Sequence, residues 1–184
     1  MIVDFLIYFL KRIDKGERVV SYDSRAVGNV ILDIARQKGI GLTLMQLTKL
    51  VYIAHGWKLA FDGAPLTQDS VEAWKYGPVY PSLYDSLKHF GGNIITSRSV
   101  DPYTGTKFMC KLDDEDIKLL EHVVEGYGNM HAYRLSDITH QPNTPWRTAT
   151  ELGGYYARID DNLIKKHFDL LKVKRMQALD DARI

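Results

Sequence analysis

Apolar residues recur along this chain mainly at helical spacing. Ala26, Val27, Val30, Ile31, Ile34 and Ala35 share one face of a helix that Asp23 or Ser24 caps. Gly39 and Gly41 end it, since glycine takes the left-handed exit conformation at little cost. Thr43 caps a second helix whose stripe of Leu44, Leu47, Leu50, Val51, Ala54 and Trp57 marks it as central to the core. That helix ends near Phe61, and Asp62-Gly63 makes a turn. Ala64 to Thr67 is extended, because the residue before Pro65 avoids the helical region.

The rhythm then shortens. Val71 to Tyr76 alternates as a short strand, and Gly77-Pro78 breaks it. Pro81 opens a helix with Leu83, Tyr84, Leu87 and Phe90 inward, closed by Gly91-Gly92. Residues 94–112 read as two strands about an Asp101-to-Gly105 turn, with Cys110 as a small apolar strand residue. Asp113 caps a helix with an acidic first turn and Ile117, Leu120, Val123 and Val124 facing inward. A short helix covers about Ala132 to Thr139, and Gln141 to Pro145 is a turn. A last helix starts near Asp160 with Leu163, Ile164, His167, Phe168 and Leu171 on one face. The sum is a mainly α (α+β) fold, a compact helical domain with a small antiparallel strand element.

Three units follow: an apolar segment and linker over residues 1–21, a main domain over 22–171, and a charged tail over 172–184. The opening run MIVDFLIYFL is too short to cross a bilayer as a helix, which takes ~20 apolar residues. It also lacks the basic start of a secretory signal, so a segment packed on the domain, a partner-binding segment and an upstream extension all stay open. The chain has 184 residues, is 45% apolar and carries a formal charge of +1, which suits one domain and gives no overall pull toward nucleic acid. Lys165, Lys166, Lys172, Lys174 and Arg175 concentrate charge near the C-terminus, and read as a solvated helix face. A single cysteine excludes an internal disulfide, and a cytoplasmic protein is expected.

Catalytic and cofactor motifs do not emerge. The six histidines are dispersed, with no HExxH, CxxC or carboxylate cluster, so no metal or other cofactor is expected. Gly91-Gly92 and Gly153-Gly154 lack the Lys-Ser/Thr that follows a phosphate loop. His140 with Asp137, and Ser136 or Thr139 as nucleophile, lacks any strained elbow or oxyanion loop. The chain is read as a binding protein, not an enzyme.

Three blocks stand out: TLMQLTKLVYIAHGWKLAFDGAPL over 43–66, VEAWKYGPVYPSLYDSLKHF over 71–90, and LSDITHQPNTPW over 135–146. Their order and spacing resemble the Panacea domain of SocA-like antitoxins and of GepA-like phage-associated proteins, across about residues 22–171. The resemblance implies a helical domain with a small strand element. It also implies an antitoxin that neutralises a cognate small protein toxin by direct binding. Two alternatives share the fold: an adaptor that delivers a toxin to a protease, and a phage or prophage protein that binds a host factor. No nucleic acid partner and no membrane span are expected, and the oligomeric state is open. Lys49, Tyr52, Trp74, Tyr76, Tyr80 and Tyr84 are the candidate partner-binding residues. Packing competes at each: Trp74 favours the core, Tyr76 and Tyr80 are open between core and interface, and His55 reads as a satisfied core histidine.

Overall fold

The computed structural model describes residues 20–181. Its elements in chain order are α1 (Ser24–Gln37), α2 (Leu44–Asp62), β1 (Val71–Trp74), β2 (Gly77–Val79), α3 (Pro81–Leu87), α4 (Asp114–Tyr127), α5 (Ala132–His140), α6 (Pro145–Gly153), β3 (Arg158–Ile159) and α7 (Asp161–Asp181). A single turn of 3-10 helix, Lys88–Phe90, extends α3. The fold is mainly α with one antiparallel sheet in the order β2-β1-β3. Among the described residues, no helix is long and apolar enough to cross a membrane. The expectations for residues 1–19 and 182–184 lie outside the described residues.

Helix α2 organises the rest. Thr43 accepts from the Gln46 backbone while the Gln46 side chain reaches back to the Thr43 N–H, which satisfies two of the helix's orphan donors. Gly63 closes it at φ +69°. The stripe read in sequence is buried, but so are Lys49, Tyr52, Ile53, His55, Lys58, Leu59 and Ala60. The helix is therefore wrapped on nearly every side, by α1, α4, α5, α7 and the sheet. A helix enclosed in this way is the core, not a face of it.

α7 lies against α2 where Phe168 meets Gly56. A Cβ on Gly56 would stand 2.2 Å from the Phe168 ring, so only glycine admits that ring. Phe168 then meets Trp57 edge-on at 5.2 Å and Tyr52 at 6.0 Å. α7 also runs beyond the expected start of the tail. Lys172 donates to the Ala60 carbonyl and Arg175 to the Tyr127 hydroxyl, and these contacts hold the charged stretch helical to Asp181.

The structure corrects several sequence expectations. Gly77-Pro78 does not end the strand region. It begins β2 after a two-residue reversal at Lys75-Tyr76, with Trp74 opposite Gly77. Pro78 is tolerated because β2 is an edge strand, where a missing N–H costs little. Residues 94–112 form two isolated bridges, Ile94 with Thr43 and Val100 with Lys107, and no strand pair. The buried Asn29 side chain takes the Ser99 N–H and donates to the Ser99 and Phe108 carbonyls, replacing part of a ladder. Cys110 is thus outside any strand, and burial with nearby Asp116 pushes its thiol up to about 11. In α4 the inward phase includes Asp116 and Leu119, while Ile117 turns outward, because Asp116 is drawn in by Lys58. The sequence pattern assigns neither α6 nor β3. Thr144 as cap and Pro145 in the first turn were the signal for α6.

The Gly56–Phe168 contact gives a first expected outcome. Gly56→Ala should destabilise the chain by about 1–3 kcal/mol, because overpacking outweighs alanine's better helix propensity. In a Phe168→Ala background the same change should cost almost nothing. Urea unfolding of the two single variants and the double variant measures this coupling.

Candidate functional site

The three sequence blocks meet at the β1–β2 hairpin. Four of its carbonyl oxygens face side-chain donors from other elements. Trp146 Nε1 on α6 donates to the Trp74 carbonyl at 2.8 Å. His140 Nε2 at the end of α5 lies 3.2 Å from the Lys75 carbonyl. Ser136 Oγ on α5 donates to the Tyr76 carbonyl at 3.0 Å, and Lys49 Nζ on α2 to the Pro78 carbonyl at 3.1 Å. The other ring nitrogen of His140 faces the Ser136 carbonyl at 2.6 Å. Both of its partners are acceptors, so a neutral ring serves one and a doubly protonated ring serves both.

Gly77 closes the clamp. Its φ is +106°, a conformation open to glycine, and a Cβ there would stand 2.6 Å from Lys49 Cε and from Thr139 Oγ1. Thr139 donates to the Ser136 carbonyl, and Thr144 in turn to the Thr139 carbonyl. A hairpin that would otherwise be marginal on its own is therefore fixed from below by three helices.

The six candidate residues separate by depth. Lys49, Tyr52 and Tyr80 are buried beneath the hairpin, closed from solvent in this structure. Tyr52 packs on Phe168, Tyr80 meets the His55 ring at 6.2 Å, and burial raises both phenols well above their ordinary range. Trp74 and Tyr84 are half-buried, with ring centres 4.9 Å apart. Tyr76 is 55% exposed at the hairpin tip, beside the Lys75 ammonium at 5.3 Å from its ring centre. His55 is a satisfied core histidine. Its Nδ1 accepts the Thr67 N–H, which leaves Nε2 to donate to Asp161 at 3.2 Å.

Sequence reasoning missed part of this surface. Tyr156 also meets Trp74, with ring centres 5.5 Å apart, and Tyr155 lies 6.4 Å from Trp146. Arg147 stands over Trp146 at 5.6 Å. Tyr84, Trp74 and Tyr156 thus form one run of rings, and Trp146 and Tyr155 a second, joined through the Trp146 bond to the Trp74 backbone. The signal was the Gly153-Gly154-Tyr155-Tyr156 string, two glycines followed by two aromatics in an otherwise polar stretch. Among the described residues, no group of three or more His, Cys, Asp or Glu is placed to hold a metal ion.

This clamped hairpin is the meeting point of the blocks that define a family of antitoxin domains. Residues 47–147 match the family described as antitoxin SocA-like, Panacea domain, and the chain belongs to it. It is 36% identical over 162 residues to Antitoxin SocA of Caulobacter vibrioides, covering 83% of this chain and 86% of that protein. No solved structure matches.

Lys49 gives the site a pH signature. No carboxylate among the described residues pairs with it, and burial lowers its ammonium from 10.5 to about 7. Below about pH 7 the amine is charged in both folded and unfolded chains, and its burial cost is fully present. Between about 7 and 10.5 only the unfolded chain holds the proton, so this term raises stability as pH rises. Urea unfolding from pH 7 to 10 should show that rise, of order several kcal/mol across the window. In Lys49→Met that component should vanish, leaving a pH-independent loss of about 1–3 kcal/mol for the Pro78 carbonyl.

Proposed function

We propose that this chain is an antitoxin that neutralises a small protein toxin in the cytoplasm by direct, stoichiometric binding. Its relationship to a SocA antitoxin supports the class of function. The observation that carries the mechanism is the hairpin tip: Lys75 and Tyr76 are exposed, while the backbone beneath them is fixed by Trp146, His140, Ser136 and Lys49. A surface held in one conformation loses little entropy on binding, and tyrosine adds contact area at low rotamer cost. The half-buried Trp74 and Tyr84 would form its inner wall. Lys49, Tyr52 and Tyr80 would act from below, by holding the hairpin in place. Occlusion requires only a complementary surface of ~800 Å² per partner, and no chemical step.

The test begins in cells. The reading frame next to this gene, induced alone, should arrest growth, and co-expression of this chain should restore it. The two purified proteins should then form a complex of defined stoichiometry by calorimetry. Tyr76→Ala should weaken that complex by about 10- to 30-fold with little change in melting temperature, since the side chain is exposed. Rescue that requires a cellular protease, with no stable complex between the purified pair, would replace occlusion by delivery for degradation.

A further inference from the structure

Between α2, the end of α5, the 141–145 turn and α7 lies a cleft of about 370 Å³, its open mouth included. That is the lower end of the range for small-molecule sites. Ile138, Pro145 and Leu171 supply an aliphatic wall, and the rings of Tyr52, His167 and Phe168 an aromatic one. No lysine, arginine, aspartate or glutamate borders it among the described residues. Burial lowers the His167 ring below its ordinary 6.5, so this side chain too is neutral at pH 7. The cleft is therefore apolar and uncharged.

The hydroxyls on its wall are engaged, save one. Thr139 donates to the Ser136 carbonyl and Thr144 to the Thr139 carbonyl, each at 2.8 Å, and Tyr127 accepts from Arg175 at 2.5 Å. The Tyr52 hydroxyl makes no hydrogen bond with any described residue, although Tyr52 is only 3% exposed. Burial alone raises this phenol, with no contribution from a bonded neighbour. The hydroxyl of Tyr80 is sealed in the core, whereas that of Tyr52 is not, and Tyr52 borders the cleft. Phenylalanine at 52 would keep the edge-on contact with Phe168, 6.0 Å between ring centres, and would leave no polar atom unpaired. An unpaired buried hydroxyl is costly, and a ligand in the cleft would supply the missing bond.

We propose that the cleft binds a small neutral aromatic molecule carrying one hydrogen-bonding group, with its ring among Phe168, His167 and Leu171 and that group on the Tyr52 hydroxyl. A carboxylate or an ammonium would lose its water there with no counter-charge in return. A plain hydrocarbon would fill the space and leave Tyr52 unpaired. The cleft is separate from the exposed hairpin tip that the antitoxin reading uses, and its ligand does not depend on that reading.

The experiment is a ligand-detected NMR titration of the purified full chain at pH 7 with p-cresol, toluene and 4-methylbenzoate. p-Cresol is expected to saturate one site. Toluene should bind about three- to tenfold more weakly, the worth of one hydrogen bond, and 4-methylbenzoate more weakly still. Tyr52→Phe should bring p-cresol to the affinity of toluene and leave toluene unchanged. Ile138→Trp, at a half-buried position of the wall, should abolish binding of both by filling the cleft. Unsaturable p-cresol binding, or binding that Ile138→Trp leaves intact, overturns the site. An unchanged p-cresol affinity in Tyr52→Phe, or an equal loss of p-cresol and toluene, overturns the role of the hydroxyl. Binding of 4-methylbenzoate as tight as that of p-cresol overturns the neutral class of ligand. The assay contains no toxin, so each of these failures leaves the antitoxin reading standing.

Discussion

Buried polar groups on α2 must each find a partner, and that requirement arranges the rest of the chain. Lys49, His55 and Lys58 are all enclosed, and a buried donor left unpaired costs more than an average contact provides. Each reaches a different element. Lys49 holds β2 through the Pro78 carbonyl, His55 holds the 64–67 segment and the start of α7, and Lys58 holds α4 through Asp116. Apolar packing would tolerate several arrangements of helices around α2. The three polar side chains select one, since each sits at a fixed height and angle on the central helix. The Gly56–Phe168 contact adds a steric constraint between His55 and Lys58, so α7 can cross only there.

This explains which parts of the fold were legible in the sequence. Helix starts were readable because caps act locally: Asp23, Thr43 and Asp113 each accept a backbone N–H within three residues. The second strand of the hairpin was not, because Gly77-Pro78 looks like a break until Lys49 and Thr139 are seen packed against the glycine. The 94–112 segment failed for the converse reason. Its alternation suggested a ladder, but Asn29, some 70 residues earlier in sequence, takes the backbone groups that a partner strand would have used. Ile117 was placed inward because its period fits, whereas the phase of α4 is set by an ion pair with a residue on another helix. Errors therefore gathered where a distant polar side chain overrode a local pattern.

The candidate site was legible as sequence blocks and not as a surface. Of the six candidate contact residues, Lys49, Tyr52 and Tyr80 are inside, and Lys49 holds β2 through the Pro78 carbonyl. Tyr156 was not legible in the sequence because its significance lies in backbone geometry. A tyrosine pair in a loop is ordinary, while a tyrosine at φ +69° in the turn into β3 is not. The hairpin and that turn also differ in their energetics. At the hairpin the left-handed position is filled by glycine, and four carbonyls of the turn meet side chains from other elements. At the turn into β3 the favourable residue is absent, and the fold carries the cost.

Ser136 and His140 show why proximity alone does not make a catalytic pair. They lie one helical turn apart, so their side chains meet at 3.4 Å by spacing on α5. A nucleophilic serine would hand its proton to the imidazole. Here the hydroxyl proton points at the Tyr76 carbonyl, and both imidazole nitrogens face carbonyl oxygens, of Ser136 and Lys75. To act as a base the ring would have to turn a bare nitrogen toward the hydroxyl, away from the Ser136 carbonyl 2.6 Å from it. The Trp146 ring, 3.8 Å from the imidazole, packs against it and opposes that rotation. The same atoms that would compose a hydrolytic pair are spent on two neighbouring peptide groups of the hairpin. Their arrangement fixes the height and direction of Lys75 and Tyr76, the two residues at that reversal that face solvent.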